Sequence, residues 1–367
     1  MKNILLLLCL LSLCHTNFAE NNIPDGGGMM RKIKGMFVFG SSLVDNGNNN
    51  FLANLAKADY LPYGVDFPLG PSGRFTNGKN VPDLLGKLLN LPDYLPVFAN
   101  PSTKGNVILN GVNYASGGSG ILDDTGSLAG DVYSLSEQLR NFEEVTLPDL
   151  EAQVNLSSEE LLQKYLFVIG SGGNDYTLNY FLNRQQNVNV TLEDFTANLT
   201  ISLSSQIKKL YSLGARKFVL MSLNPLGCSP SVLTGPQRSC VPELNTAAEL
   251  FNSYLKSLVD NLRPQMPGAK LVFVNQYKII MDIIKHPLSK GFNDTSNACC
   301  KVKSREEGGT GVLCERRGSV CADRRRHVFF DGLHPTEAVN VFIARKAFAS
   351  ILMSEVYPYN VYQLTKL

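Results

Sequence analysis

The 367-residue chain carries 34 Lys+Arg against 32 Asp+Glu, a formal charge of +2, with 18% charged and 44% hydrophobic residues. That balance, with no basic block at either end, leaves no electrostatic footprint for nucleic acid or an acidic membrane, since both need clustered cations. The apolar fraction excludes a disordered chain and suffices for a folded body of enzyme size.

At the N-terminus, Lys2 precedes a run of about ten mostly apolar residues from Ile4 to Leu13, followed by His15, Thr16 and Asn17. The run is far shorter than the roughly 20 residues that span a bilayer, so residues 1–19 read as a secretory signal cleaved near Ala19. No other segment is apolar and long enough to be transmembrane. Residues 20–367 are expected to be one secreted domain. Removing Cys9 and Cys14 leaves Cys228, Cys240, Cys299, Cys300, Cys314 and Cys321. Six cysteines in an oxidising compartment argue for disulfides, with 15 connectivities open. Zinc on the last four plus His327 is the competing reading, disfavoured because the spacing lacks paired C-x-x-C ligands. Sequons at Asn155, Asn189, Asn198 and Asn293 suit glycosylation in the same compartment.

Short apolar runs of strand type then alternate with helical segments. The runs are Met36–Phe39, Val112–Tyr114, Tyr165–Ile169, Lys217–Leu223 and Lys270–Val274. They are continuous rather than alternating, as strands covered on both faces of a parallel sheet should be. One helix is expected from a Thr191/Asp194 cap through Leu192, Phe195, Leu199, Leu203, Ile207 and Leu210 to a stop at Gly214. A second runs from Glu243 to Arg263 and is closed by Pro264, and a third from Glu337 to Leu352. The expected fold class is α/β, a three-layer α/β/α sandwich around a parallel sheet of about five strands. Chemistry in such sheets lies beyond the carboxyl ends of the strands. The stretch from His286 to Arg326 is the least regular, and its Arg324, Arg325 and Arg326 read as a solvated loop.

Four loops carry the candidate chemistry. After the first strand, Gly40-Ser41-Ser42-Leu43 places a serine on a strand-to-helix turn, a setting for a nucleophile or for a mere helix cap. Asp331 and His334 are three residues apart, close enough for the carboxylate to hold one imidazole nitrogen and leave the other as a base. The glycine-rich segments Gly111–Gly120 and Ile169–Tyr176 let backbone N–H groups approach a ligand, and Asn174 adds a carboxamide donor. Neither segment is a Walker or dinucleotide motif, so a nucleotide reading is unsupported; no cofactor or metal is expected.

In order and spacing these loops resemble the conserved blocks of the GDSL esterase/lipase family of SGNH hydrolases, specifically its plant secreted branch, over Met36 to about Leu352. The resemblance implies a flavodoxin-like sandwich, Ser42 as nucleophile, and Asp331 and His334 of a D-x-x-H-P block as its partners. It also implies an oxyanion hole from Ser42, Gly118 (with Gly117 as the neighbouring possibility) and Asn174, worth about 3 kcal/mol per donor. The implied partner is a small-molecule or lipid ester, the expected activity hydrolysis of carboxylic esters such as acyl lipids through an acyl-enzyme. A carbohydrate acetylesterase, a polyester acyltransferase or a silent binding protein are the alternatives. One departure stands out: the family's Gly-Asp-Ser-Leu is Gly40-Ser41-Ser42-Leu43 here, which removes a carboxylate beside the serine.

Overall fold

A computed structural model of the chain describes residues 33–182, 189–304 and 306–367. The signal-peptide reading and its cleavage near Ala19 fall outside them. In chain order the main elements are β1 (Gly35–Gly40), α1 (Val81–Leu88), α2 (Leu135–Asn141), α3 (Leu147–Val154), α4 (Ser158–Leu162) and β2 (Tyr165–Gly170). There follow α5 (Leu192–Ser212), β3 (Lys217–Met221), α6 (Pro242–Leu262), β4 (Lys270–Val274), α7 (Gln276–Lys285) and β5 (Asp294–Ala298). The chain ends with β6 (His327–Phe329), α8 (Glu337–Ala349), β7 (Val356–Tyr357) and α9 (Val361–Lys366).

Side chains alternate across a strand, so an uninterrupted apolar run must be covered twice. One face of the main sheet carries Phe37, Phe39, Phe167, Ile169, Phe218, Leu220, Leu271 and Phe273, packed against Leu139 of α2, Leu203 and Ile207 of α5, and Phe251 and Leu255 of α6. The other carries Met36, Val38, Leu166, Val168, Val219, Met221, Val272 and Val274 under Leu85 of α1, Ile280 of α7, Ile343 of α8 and Leu364 of α9. This is the expected three-layer sandwich. Among the described residues the sheet has five strands in the order β1-β2-β3-β4-β7. The first four run parallel in continuous register, and β7 closes the edge antiparallel to β4.

Four of the five expected strands form. The fifth, Val112–Tyr114, lies beside β1 but makes only an isolated parallel bridge: Val38 donates to the Val112 carbonyl at 3.1 Å, and Tyr114 donates back to Val38 at 2.8 Å. Gly111 enters it at φ 101°, outside strand geometry, so no longer ladder can grow. With this segment on one side of β1 and β2 on the other, the chain reverses direction across the sheet at β1, which sets the switch point between β1 and β2.

Helix α5 is capped as expected, with Thr191 Oγ1 accepting from the Asp194 N–H at 3.0 Å and Gly214 following at φ 114°. Helix α8 stops three residues short of Leu352, because Ser350 is extended and its carbonyl is taken by Asn360 Nδ2 at 3.0 Å. The irregular stretch before β6 is held covalently by the disulfides Cys299–Cys321 and Cys300–Cys314, and a third, Cys228–Cys240, closes the loop between β3 and α6. Loops of this size contribute about 3 kcal/mol each in the chain-entropy account. Cys299, Cys321 and His327 lie within metal-binding reach of one another, but the two sulfurs are bonded together and offer no thiolate, so the zinc alternative fails. Of the three arginines expected in a solvated loop, Arg325 and Arg326 are exposed, whereas Arg324 is half-buried, its guanidinium paired with Asp66, Nη2 to Oδ1 at 2.7 Å.

Candidate active site

β1 ends at Gly40, with φ 146° and its Cα so close to the end of β2 that a Cβ would lie 2.2 Å from the Gly170 carbonyl oxygen. Only glycine fits there. Gln138, fully buried on α2, grips Gly40 from the side, its Oε1 accepting the Gly40 N–H at 2.8 Å and its Nε2 donating to the Gly40 carbonyl at 2.9 Å. Ser41 then donates to the Gly170 carbonyl at 3.1 Å and accepts from Val44 at 3.1 Å, a turn that leaves Ser42 half-buried at the mouth of a cleft.

The loop before α8 supplies the partners. Asp331 Oδ1 accepts the backbone N–H groups of Leu333 and His334 at 2.8 and 2.7 Å, and Phe330 donates to the His334 carbonyl at 2.8 Å. The three-residue spacing therefore folds the loop onto its own carboxylate. His334 Nδ1 lies 2.8 Å from Asp331 Oδ2, and Nε2 lies 2.8 Å from Ser42 Oγ. Asp331 is fully buried and His334 nearly so, with the Phe75 ring over the imidazole at 5.0 Å. Placing the Nδ1 proton toward Asp331 leaves Nε2 as acceptor for the Ser42 hydroxyl.

The candidate oxyanion donors lie on the two glycine loops. The Gly117 N–H is already committed to Asp45 Oδ2 at 3.1 Å, whereas the N–H groups of Gly118 and Ser42 have no acceptor among the described residues. Asn174 spends one amide proton on the Ser119 carbonyl at 2.9 Å and keeps the other. Ser42 and Asn174 line the same cleft; Gly118 is not among its lining residues. The walls come from the carboxyl ends of all four parallel strands: Ser41–Val44 after β1, Ser171 and Thr177 after β2, Leu223 and Leu226 after β3, Gln276 after β4, with Leu333 across from them.

Sequence reasoning missed the groups that hold these loops. Asp45, fully buried, accepts the N–H groups of Gly47 at 2.6 Å, Asn48 at 2.9 Å and Gly117. Asp175, equally buried, accepts those of Ile121 and Leu122 at 2.9 and 3.0 Å and the Thr125 hydroxyl at 2.9 Å. Burial pushes each carboxyl up to about 6 against the pull of those donors. The segment bearing Gly118 is thus pinned at both ends. Asn49 adds to it, its Nδ2 donating to the Gly117 carbonyl at 2.7 Å and its Oδ1 accepting from Ser116 Oγ at 2.6 Å. The available signal was adjacency: Asp45 follows Ser42 by three residues and Asp175 directly follows Asn174.

A parallel α/β sandwich with a serine–histidine–carboxylate relay beyond its strand ends defines a class, the serine hydrolases. The profile of the GDSL-like lipase/acylhydrolase family matches residues 36–347. Among curated proteins of Arabidopsis thaliana, GDSL esterase/lipase At1g29670 is 40% identical over 340 residues, 90% of this chain and 91% of that one. GDSL esterase/lipase At1g71250 is 41% identical over 342 residues, 92% and 90% of the two chains. The chain belongs to the GDSL lipase/acylhydrolase family, and it is a carboxylic ester hydrolase.

Proposed function

We propose that the chain is a secreted serine esterase or lipase in which Ser42 is the nucleophile, His334 the general base and Asp331 its orienting acid. The observation that carries the reading is the continuous chain from Asp331 Oδ2 to His334 Nδ1 and from His334 Nε2 to Ser42 Oγ, 2.8 Å at each link. His334 takes the Ser42 proton as Oγ attacks the ester carbonyl, and the resulting imidazolium faces a buried carboxylate. The tetrahedral oxyanion takes the N–H groups of Ser42 and Gly118 and the remaining Asn174 amide proton, each worth about 3 kcal/mol. His334 then protonates the leaving alcohol, and a water activated by the same imidazole releases the acid and restores Ser42. A silent binding protein would have no use for a base held at hydrogen-bond distance from a serine.

Leu43, Val44, Leu223, Leu226 and Leu333 give the cleft an apolar wall suited to an acyl chain, which supports acyl lipids as substrates. Labelling with a fluorophosphonate tests the assignment: one adduct is expected, on the peptide containing Ser42, and hydrolysis of p-nitrophenyl esters from acetate to palmitate reports the acyl range. A protein that takes no label overturns it.

Secretion is supported by the three disulfides and by the exposure of Asn155, Asn189, Asn198 and Asn293. No helix among the described residues is long and apolar enough to cross a membrane. The proposal takes residues 1–19 as the signal and 20–367 as one hydrolase domain. Protein collected from the medium is expected to begin near Glu20 and to lose mass on enzymatic deglycosylation. An intact N-terminus in the collected protein would refute cleavage.

A further inference from the structure

Behind the relay lies a residue that neither the four candidate loops nor the proposed mechanism uses. The Tyr63 hydroxyl donates to Asp331 Oδ2 at 2.6 Å, the same oxygen that faces His334 Nδ1. Tyr63 is fully buried, edge-on to Phe75 and Phe330, and Phe75 is the ring that lies over His334. Its oxygen accepts from the Cys314 backbone N–H at 3.1 Å, while Tyr60, three residues earlier, donates to the Cys314 carbonyl at 2.9 Å. Cys314 is in turn tied to Cys300. The acid of the relay is therefore braced from behind by a phenol that is itself held by a disulfide-anchored peptide.

No lysine or arginine pairs with Asp331; its one ionic partner among the described residues is His334. Its charge is balanced by hydrogen bonds alone, two from backbone N–H groups, one from the imidazole and one from Tyr63. We propose that Tyr63 is a positioning residue for ester hydrolysis, holding the Asp331 carboxylate in the imidazole plane and setting its basicity toward His334. The inference rests on the serine-hydrolase reading above. Burial and the neighbouring Asp331 charge hold the phenol well above its ordinary range, so it remains a donor throughout the working pH. The other charged or titratable groups on this side are Tyr60, which packs edge-on to Tyr63, Arg316 over the Tyr60 ring at 4.0 Å, and Asp59.

Removing one donor leaves a carboxylate more basic, and a more basic carboxylate favours the imidazolium. In Tyr63→Phe the acid limb of the kcat/KM profile is expected to move up by about half a pH unit or more, and kcat to fall about 10-fold as the carboxylate loses its orientation. Rates are to be normalised to fluorophosphonate-reactive sites, so that only folded protein counts. Tyr63→Met, which fills the space flexibly without an O–H, is expected to move the limb the same way. Tyr60→Phe loosens the same Cys314 peptide without touching Asp331, and is expected to leave the limb in place. An unmoved limb in both Tyr63 variants overturns the inference while the serine assignment stands. A wild-type protein that takes no fluorophosphonate overturns both.

Discussion

Ser42→Ala is expected to lower kcat by on the order of 10⁴-fold or more while leaving KM and folding almost unchanged. The hydroxyl's one hydrogen bond among the described residues is to His334, so its loss costs stability only about 1 kcal/mol. The chemistry loses the atom that forms the acyl-enzyme. Ser41→Ala is expected to retain most of the activity. Ser41 positions the turn through its backbone, donating to Gly170 and accepting from Val44, and both bonds survive the substitution. Its hydroxyl makes no hydrogen bond among the described residues, so it has not inherited an orienting role from the family's aspartate. Steady-state hydrolysis of a p-nitrophenyl ester, with circular dichroism to check folding, decides the matter. A Ser42→Ala enzyme retaining more than a few per cent of kcat, or a Ser41→Ala enzyme equally dead, would reject Ser42.

The contrast between those two serines shows what could be read from the chain alone. Strands β1 to β4 were legible because each is buried on both faces, and burial leaves an unbroken apolar run. The Asp331–His334 pairing was legible because it is local: a three-residue loop closes on its own carboxylate. β7 was not, because two residues are too few to show a period, and its place is set by β4. The disulfide pairing, Gln138 on Gly40, Asp45 on Gly117 and Tyr63 on Asp331 were hidden for a related reason. Each joins segments separated by 12 to 268 residues, and nothing in local patterning records which distant group a side chain will meet. The run Asp45-Asn46-Gly47-Asn48-Asn49 looked like ordinary loop composition. It is polar because it satisfies buried backbone groups of the Gly111–Gly120 segment, with Asn48 Nδ2 on the Ala115 carbonyl at 2.8 Å as a further instance.

Asp45 gives the second large effect, and it depends on pH. Its folded-state value near 6 lies above the ordinary 3.8, so the folded chain binds a proton that the unfolded chain releases between those values. Stability from this group is fully present below about 4 and is lost as pH rises through 6, a total of roughly 3 kcal/mol. Asp45→Asn removes the titration but keeps the size. At pH 7 relief from burying a charge offsets the unsatisfied N–H left by an amide with one acceptor oxygen, about 1–3 kcal/mol, so the variant is expected to unfold close to wild type. On acidification it should fall behind by about 1.4 kcal/mol for each pH unit between 6 and 4, measured as the difference between the two urea midpoints scaled by m. Activity at pH 7 is expected to drop about 10- to 100-fold in kcat, because the Gly117 peptide loses the anchor that fixes the neighbouring Gly118 N–H. Asp175→Asn should show the same pH slope, since burial raises that carboxyl to the same range. A wild-type minus Asp45→Asn difference that stays flat with pH would show that Asp45 ionises in the folded chain as an ordinary carboxylate does, and one that grows as pH rises would show its value lowered rather than raised; either outcome overturns the prediction.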